Sequence, residues 1–163
     1  MATIYILVSP AAGIPDLTPS IFVDATTIVK DEVQNKIIRI FNIGPGATSG
    51  TIVFTIPKLG VQGQQWELTV NPTETSMNLL NLGGVVAVNN NDWIIADEPL
   101  QFRFTSKPGI IIPSSGFSSL GMRLKAHGIP GTSGNLNVRI AFGTGGGETP
   151  FTNNFTVTLH RIN

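Results

Sequence analysis

Three groups of residues in this chain have types that could do chemistry. The first is the run GTGGGETPFTNN, residues 143–154, which holds four of the chain's 18 glycines beside a carboxylate and two amides. A phosphate cradle, a calcium loop and a plain turn all use such residues. A phosphate loop needs its glycines between a strand and a helix, so that free amides at the helix N-terminus meet the phosphate. Here the strand-like NLNVRIAF precedes the run, the strand-like FTVTL follows it, and no Lys-Ser/Thr pair is present. The nucleotide reading fails on context, and a wide glycine-rich hairpin between antiparallel strands is expected. A hard cation is still open to the run. Glu148, Asn153 and Asn154 offer oxygen ligands, and Asp16 or Asp92 would approach from another loop. The spacing matches no EF-hand loop, and Asn and Asp are ordinary turn residues. No cofactor is therefore expected, with calcium the one alternative kept.

The second group is the two histidines. His127 ends RLKAH just before a turn and His160 ends FTVTLH, so both sit at strand ends, where a lone histidine is a rim residue. No Gly-x-Ser-x-Gly elbow and no His-rich metal spacing accompanies them. The third group is acidic: Asp92, Asp97 and Glu98 flank Trp93, a constellation similar to a glycosidase's carboxylate pair. Isolated carboxylates in an Asn-rich turn are more often simply solvated. Trp93 in NDWII and Trp66 in QQWEL lie in strand-like segments and are expected in the core, with a sugar-stacking platform as the alternative. Taken together these groups predict no catalytic residue and no enzyme.

Strands must position all of these residues. No helical stripe of useful length is present; the best case, TETSMNLLNL (73–82), does not hold a 3.6-residue period. Period-two writing is frequent instead. NKIIRIFNI places Ile38, Ile40 and Asn42 on one face and Ile37, Arg39, Phe41 and Ile43 on the other. TIVFTI, QFRFTS, LGMRLKAH, NLNVRIAF and FTVTL repeat the pattern, divided by turn signals such as GPGATSG, VNNNDW and KPGIIIPSSG. About eight to ten short strands at this spacing predict an all-β sandwich of two antiparallel sheets. The segment SPAAGIPDLTPS (9–20) carries three prolines and should be extended. It divides a leading arm, residues 1–14, from a domain over 15–163. The arm's strand, Thr3, Ile4, Tyr5, Ile6, Leu7 and Val8, is expected to pair with its own sheet or add an edge to a neighbour.

Composition narrows the partners. The 163 residues suit one domain, and without cysteine there is no disulfide frame or thiolate zinc site. Ten basic residues balance ten acidic ones, and 12% of the chain is charged, so no electrostatic footprint for nucleic acid is present. The apolar run IYILV is five residues long, too short for a signal-peptide core or for membrane insertion. From this the chain is expected either not to be exported in this form or to have lost an export signal.

Three stretches, PDLTPSI (15–21), IIRIFNIGPGATSGTIVFTIP (37–57) and GTSGNLNVRIAFGTGGGETPFTNNFTV (131–157), resemble immunoglobulin-like repeats of bacterial surface proteins. The similarity is to CARDB-type cell-adhesion domains and to repeats of adhesins in gliding bacteria. The first stretch is similar to the opening "PDL" strand of those repeats. In the second, Asn42 and Gly44 stand at the matching positions of a strand, Asn-x-Gly turn and strand. In the third, Asn153 and Asn154 match the closing hairpin. The resemblance implies an immunoglobulin-like fold and non-enzymatic display, spacing or adhesion, with no catalytic residues to carry over.

A surface-type fold without an export signal is reconciled by a virion. The leading expectation is a phage virion surface subunit (capsid decoration, head fibre or tail appendage). The arm would attach it to other subunits of an oligomeric assembly, and Gly145, Gly146, Gly147 and Glu148 would face outward. Its partners would be protein subunits and a host-surface glycan or protein, with no nucleic acid. The alternative is one repeat of a secreted bacterial adhesin or filament, at the cell surface. A carbohydrate-binding module is the third reading, to be decided by whether the tryptophans are exposed.

Overall fold

A computed structural model describes residues 13–58, 66–126, 131, 133–141, 144–147 and 154–162. The alternating segments form twelve strands among these residues, in the order β1 (Leu17–Val23), β2 (Thr27–Val29), β3 (Val33–Asn42), β4 (Val53–Pro57), β5 (Trp66–Thr69), β6 (Ser76–Leu79), β7 (Gly84–Ala87), β8 (Trp93–Asp97), β9 (Gln101–Ser106), β10 (Phe117–Ala126), β11 (Ser133–Ile140) and β12 (Asn154–Ile162). One sheet has the order β1-β3-β10-β5, and the other β2-β12-β11-β4-β9-β8. The all-β sandwich expected from the alternation is what forms, with the immunoglobulin-like fold that the resemblance implied. The chain steps repeatedly between the sheets, from β3 to β4, β4 to β5, β9 to β10 and β10 to β11. The stretch 73–82 contributes β6 and a single 3-10 turn, Leu80–Leu82, as its broken period requires.

Two local features depart from the expected pattern. The pairing of β2 with β12 is parallel, from Thr27 with His160 to Val29 with Ile162. Its cause is the short turn at residues 24–26: the chain crosses from β1 to the second sheet without reversing and so travels alongside β12. The glycine-rich run does join β11 and β12, which pair antiparallel, but it opens with one helical turn, α1 (Thr144–Gly147). Thr144 stabilises that turn by accepting from the Val53 amide and donating to the Thr51 carbonyl.

Between the sheets the inward residues of every strand pack into one core. Ile38 and Ile40 of β3 and Leu120, Met122 and Leu124 of β10 meet Phe54, Phe104 and Val138 from the other sheet. Phe54 and Phe104 are cross-strand partners with rings stacked 4.6 Å apart, and Trp93 meets Phe54 edge-on at 4.9 Å. A second, smaller cluster lies on the outer side of the four-stranded sheet. There the β6–β7 hairpin sets Met77, Leu79 and the following Val88 against Ile37. The hairpin can lie this close because β10 has glycine at position 121, where an added Cβ would stand 3.1 Å from the Met77 sulfur.

One end of the sandwich is held by a single buried amide. Asn42 Oδ1 accepts from the amides of Gly44 (3.1 Å) and Asp16 (3.0 Å), and its Nδ2 donates to the carbonyls of Gly46 (2.8 Å) and Ile112 (3.1 Å). All four of the side chain's hydrogen-bonding positions are thus filled by backbone. Gly44 is required because a Cβ there would stand 2.5 Å from the Asp16 nitrogen. The Asn-rich turn uses the same device. Asn90 bonds both the amide and the carbonyl of Gly121, and Asn89 bonds the Ser119 amide through its side chain and the Ser119 carbonyl through its backbone. These two residues extend the sheet beside β10 where β5 does not reach.

At the opposite end, Lys36 is fully buried, and its Nζ donates to Gln34 Oε1 at 2.7 Å. Burial lowers its pKa from 10.5 to about 8, against the opposing pull of Asp24 and Glu32.

Two outcomes follow from these buried groups. Asn42→Ala strands two amides and two carbonyls, and should cost about 3 kcal/mol, a fall of roughly 10 °C in thermal midpoint. For Lys36 the unfolded amine holds its proton up to 10.5 whereas the folded one releases it from about 8. Between those values the unfolded chain binds more protons, so stability should rise with pH, the full penalty standing below 8. Lys36→Met should stabilise the fold at neutral pH by about 2 kcal/mol. Its melting temperature should also lose the rise between pH 8 and 10.5, as calorimetry across that range would show.

Candidate functional site

The chemistry-bearing residues picked out in the sequence divide into those with structural work and those outside the described residues. Trp93 is in the core at 2% exposure, and its Nε1 donates to Ser118 Oγ at 3.2 Å. Two of the three acids beside it, Asp97 and Glu98, are held by cations. Asp97 pairs with Lys58, and Glu98 accepts from Arg103 at 2.9 Å and Gln101 at 3.1 Å. The Arg103 bond, followed by that from Gln101, lowers the Glu98 pKa. Asp97 and Glu98 thus serve ion pairs and do not form an acid-base couple. His160 is exposed on β12, where its backbone amide bonds Thr26.

Of the calcium candidates, Asp16 and Asn154 fall among the described residues. Asp16 stands at the entrance to β1, with its amide bonded to Asn42. Asn154 opens β12, opposite Arg139. Glu148, Asn153 and His127 lie outside the described residues, as do Thr3, Ile4, Tyr5, Ile6, Leu7 and Val8 of the arm. Among the described residues no group of three or more potential metal-ligating side chains occurs. Gly145, expected in an outward-facing loop, is instead buried. A Cβ on it would stand 3.2 Å from Leu17, and its amide and carbonyl bond Thr51 and Ser49. Gly146 and Gly147 continue the same helical turn.

The surface with uncommitted binding groups is the outer side of the four-stranded sheet. Alternation along β1, β3 and β10 aims three transverse rows outward: Thr18, Phe41 and Phe117; Ser20, Arg39 and Ser119; and Phe22, Ile37 and Gly121. The β6–β7 hairpin covers the last row; in the first two Phe117 is exposed, Thr18, Ser20, Arg39 and Phe41 are half-buried, and Ser119 is buried. Arg39 is the centre of the open part. Its Nε donates to Ser119 Oγ at 3.1 Å, and its guanidinium carbon lies 4.5 Å from the Phe117 ring centroid and 5.3 Å from that of Phe22. Phe41 leans on Phe117 with centroids 5.4 Å apart. Phe117 is 47% exposed, and Ile43, just beyond β3, is 66% exposed.

The other arginines with described partners are neutralised. Arg103 has Glu98, and Arg123 grips Glu74 through both terminal nitrogens at 2.9 and 2.6 Å, which raises its pKa. Arg39 makes no ion pair with any described residue. A cleft of about 380 Å³ lies between the start of β3 and the hairpin, lined by Asp24, Glu32, Gln34, Asn35 and Asn78. Asp24 is already spent there on the amides of Leu80 and Asn81.

The alternating pattern placed Arg39 and Phe41 together on one face of the strand, and no site was expected there. The missing information was that the hairpin covers only half of that face.

No protein family's profile matches the chain, and no curated protein matches it. Solved structures do match in fold. The CARDB domain of a Pyrococcus furiosus protein, solved in complex with di-metal ions, is 12% identical with a TM-score of 0.53, covering 98% of this chain and 100% of that one. A cohesin module from a Clostridium perfringens family 33 glycoside hydrolase is 12% identical with a TM-score of 0.55, covering 91% and 98%. AvmM, which catalyses macrocyclization in alchivemycin A biosynthesis, is 11% identical with a TM-score of 0.51, covering 91% and 89%. The chain thus has the fold of a CARDB-type immunoglobulin-like domain.

Proposed function

We propose that this chain is a non-enzymatic binding and display domain of a bacterial surface adhesin or filament, engaging a protein partner through the open half of its four-stranded sheet. The observation that carries this reading is the contrast in how side chains are used. Asp97, Glu98 and Trp93, which suggested chemistry, are tied up in ion pairs and core, whereas Arg39, Phe41 and Phe117 stand on the part of the outer face that the hairpin does not cover. The shared fold with CARDB and cohesin domains adds support, although one fold hosts many functions, as the likeness to AvmM illustrates.

The virion reading draws no support from these likenesses, so the surface-protein alternative takes precedence. The carbohydrate-binding reading loses Trp93, which would have to be exposed to stack on a sugar. Residues 3–8 are retained as a proposed attachment strand, with an edge of a neighbouring sheet as the site they would join. Among the described residues no helix is long and apolar enough to cross a membrane.

Defined arrays of purified extracellular proteins and of glycans test the proposal. The full chain should give saturable signals on protein spots, and the double variant Phe41→Ala/Phe117→Ala should lose them at least tenfold while keeping its thermal midpoint. Signals confined to glycan spots, or equal binding by the variant, would overturn it.

A further inference from the structure

Arg39 carries a more specific statement, which rests on the reading of the open face as a binding surface. We propose that this face is a receptor for a carboxylate on an extended acidic peptide, gripped by the terminal nitrogens of Arg39. Three contacts fix the guanidinium in place: the Ser119 hydroxyl takes its Nε proton, and the rings of Phe117 and Phe22 lie on either side. Such a held arginine has lost its rotamer freedom before any ligand arrives, so little remains to be lost on binding. The two terminal nitrogens have no hydrogen-bond or ion-pair partner among the described residues. They present the parallel N–H donors that match a carboxylate's two oxygens.

Charge complementarity identifies the occupant. The outward residues of the open half are Thr18, Ser20, Phe41, Phe117 and Ser119 around Arg39, with no acid among them. The face therefore carries one positive charge that no described residue neutralises, whereas Arg103, Arg123 and Lys58 each have an acid of their own. Aromatic walls strengthen the pull on an anion by excluding water from the pair. They also favour a peptide over a sugar acid. Phe41, Phe117 and Ile43 form an apolar border that aliphatic side chains flanking a glutamate would cover, while the hydroxyls of Thr18 and Ser20 meet backbone polar groups.

The full chain, labelled with nitrogen-15, allows a direct test by following the Arg39 Nε–H resonance and the backbone amides of Phe117 and Ser119. The probes are a capped nonapeptide alternating Glu and Leu, its Gln-for-Glu counterpart, and tri-galacturonate. The acidic peptide should shift these resonances saturably, at a concentration at least tenfold below that needed with the Gln peptide. Arg39→Lys should weaken the effect about tenfold, and Arg39→Gln should abolish it with the remaining amide spectrum unchanged. Phe117→Ala, which keeps the charge, gives an independent variant and should weaken binding severalfold.

Equal shifts by the two peptides, or none at millimolar concentration, would overturn the carboxylate assignment. Response to tri-galacturonate alone would replace the peptide by an acidic glycan. If array binding depends on Phe41 and Phe117 but survives Arg39→Gln, the surface reading stands and this inference falls.

Discussion

The side-chain amide of Asn42 is the constraint from which one end of this molecule is organised. It touches three stretches of chain at once: the entrance to β1 at Asp16, the turn at Gly44 and Gly46, and the loop at Ile112. Its own backbone closes the set, donating to Gly116 and accepting from Ser115. Buried loops normally fail because their polar groups have no water to turn to. Here one residue supplies those partners. The loops can then pack down over Leu17 and Ile52, and the sandwich core is sealed at that end.

The same economy recurs in the Asn-rich turn, where Asn89 and Asn90 bond β10 in place of a missing strand. Between them these amides explain why a chain with 12% charged residues satisfies its buried backbone. They also let β3 and β10 run ten residues each, long enough that the hairpin covers one half of their outer face and leaves the other half open. The arginine-aromatic surface is thus a by-product of how the sheet edge and ends are closed, and the site inherits the rigidity of the sheet beneath it.

Much of this was legible in the sequence. Alternation in NKIIRIFNI put Ile38 and Ile40 on one face and Arg39 on the other, and the first of these faces is the core; the Asn42/Gly44 pair announced a tight turn. What escaped were properties that depend on distant segments. Asn89 and Asn90 read as turn residues because nothing local reveals a carbonyl thirty residues away. Lys36 falls on an inward position of the alternation, yet its burial depends on how the sandwich end closes around it. The glycine run was read as open hairpin, whereas Thr144 and Gly145 are drawn inward by Val53 and Thr51, which sit ninety residues earlier. The parallel contact of β2 with β12 likewise joins opposite parts of the chain.

That parallel contact has a mechanical meaning. Gly13 lies against Gly46 at the Asn42 end of the sandwich, while β12 leaves at the far end, beside β2. Tension between residues 13 and 162 therefore runs along the strands. It loads the β12 ladders to β11 and β2 in shear, with their hydrogen bonds strained together; a geometry that peeled them from one end would strain them in succession. Resistance to forced unfolding depends on the barrier out of the native state. A pull along the chain in this fold is borne by the ladder of β1 with β3 at one end and by the bonds around β12 at the other.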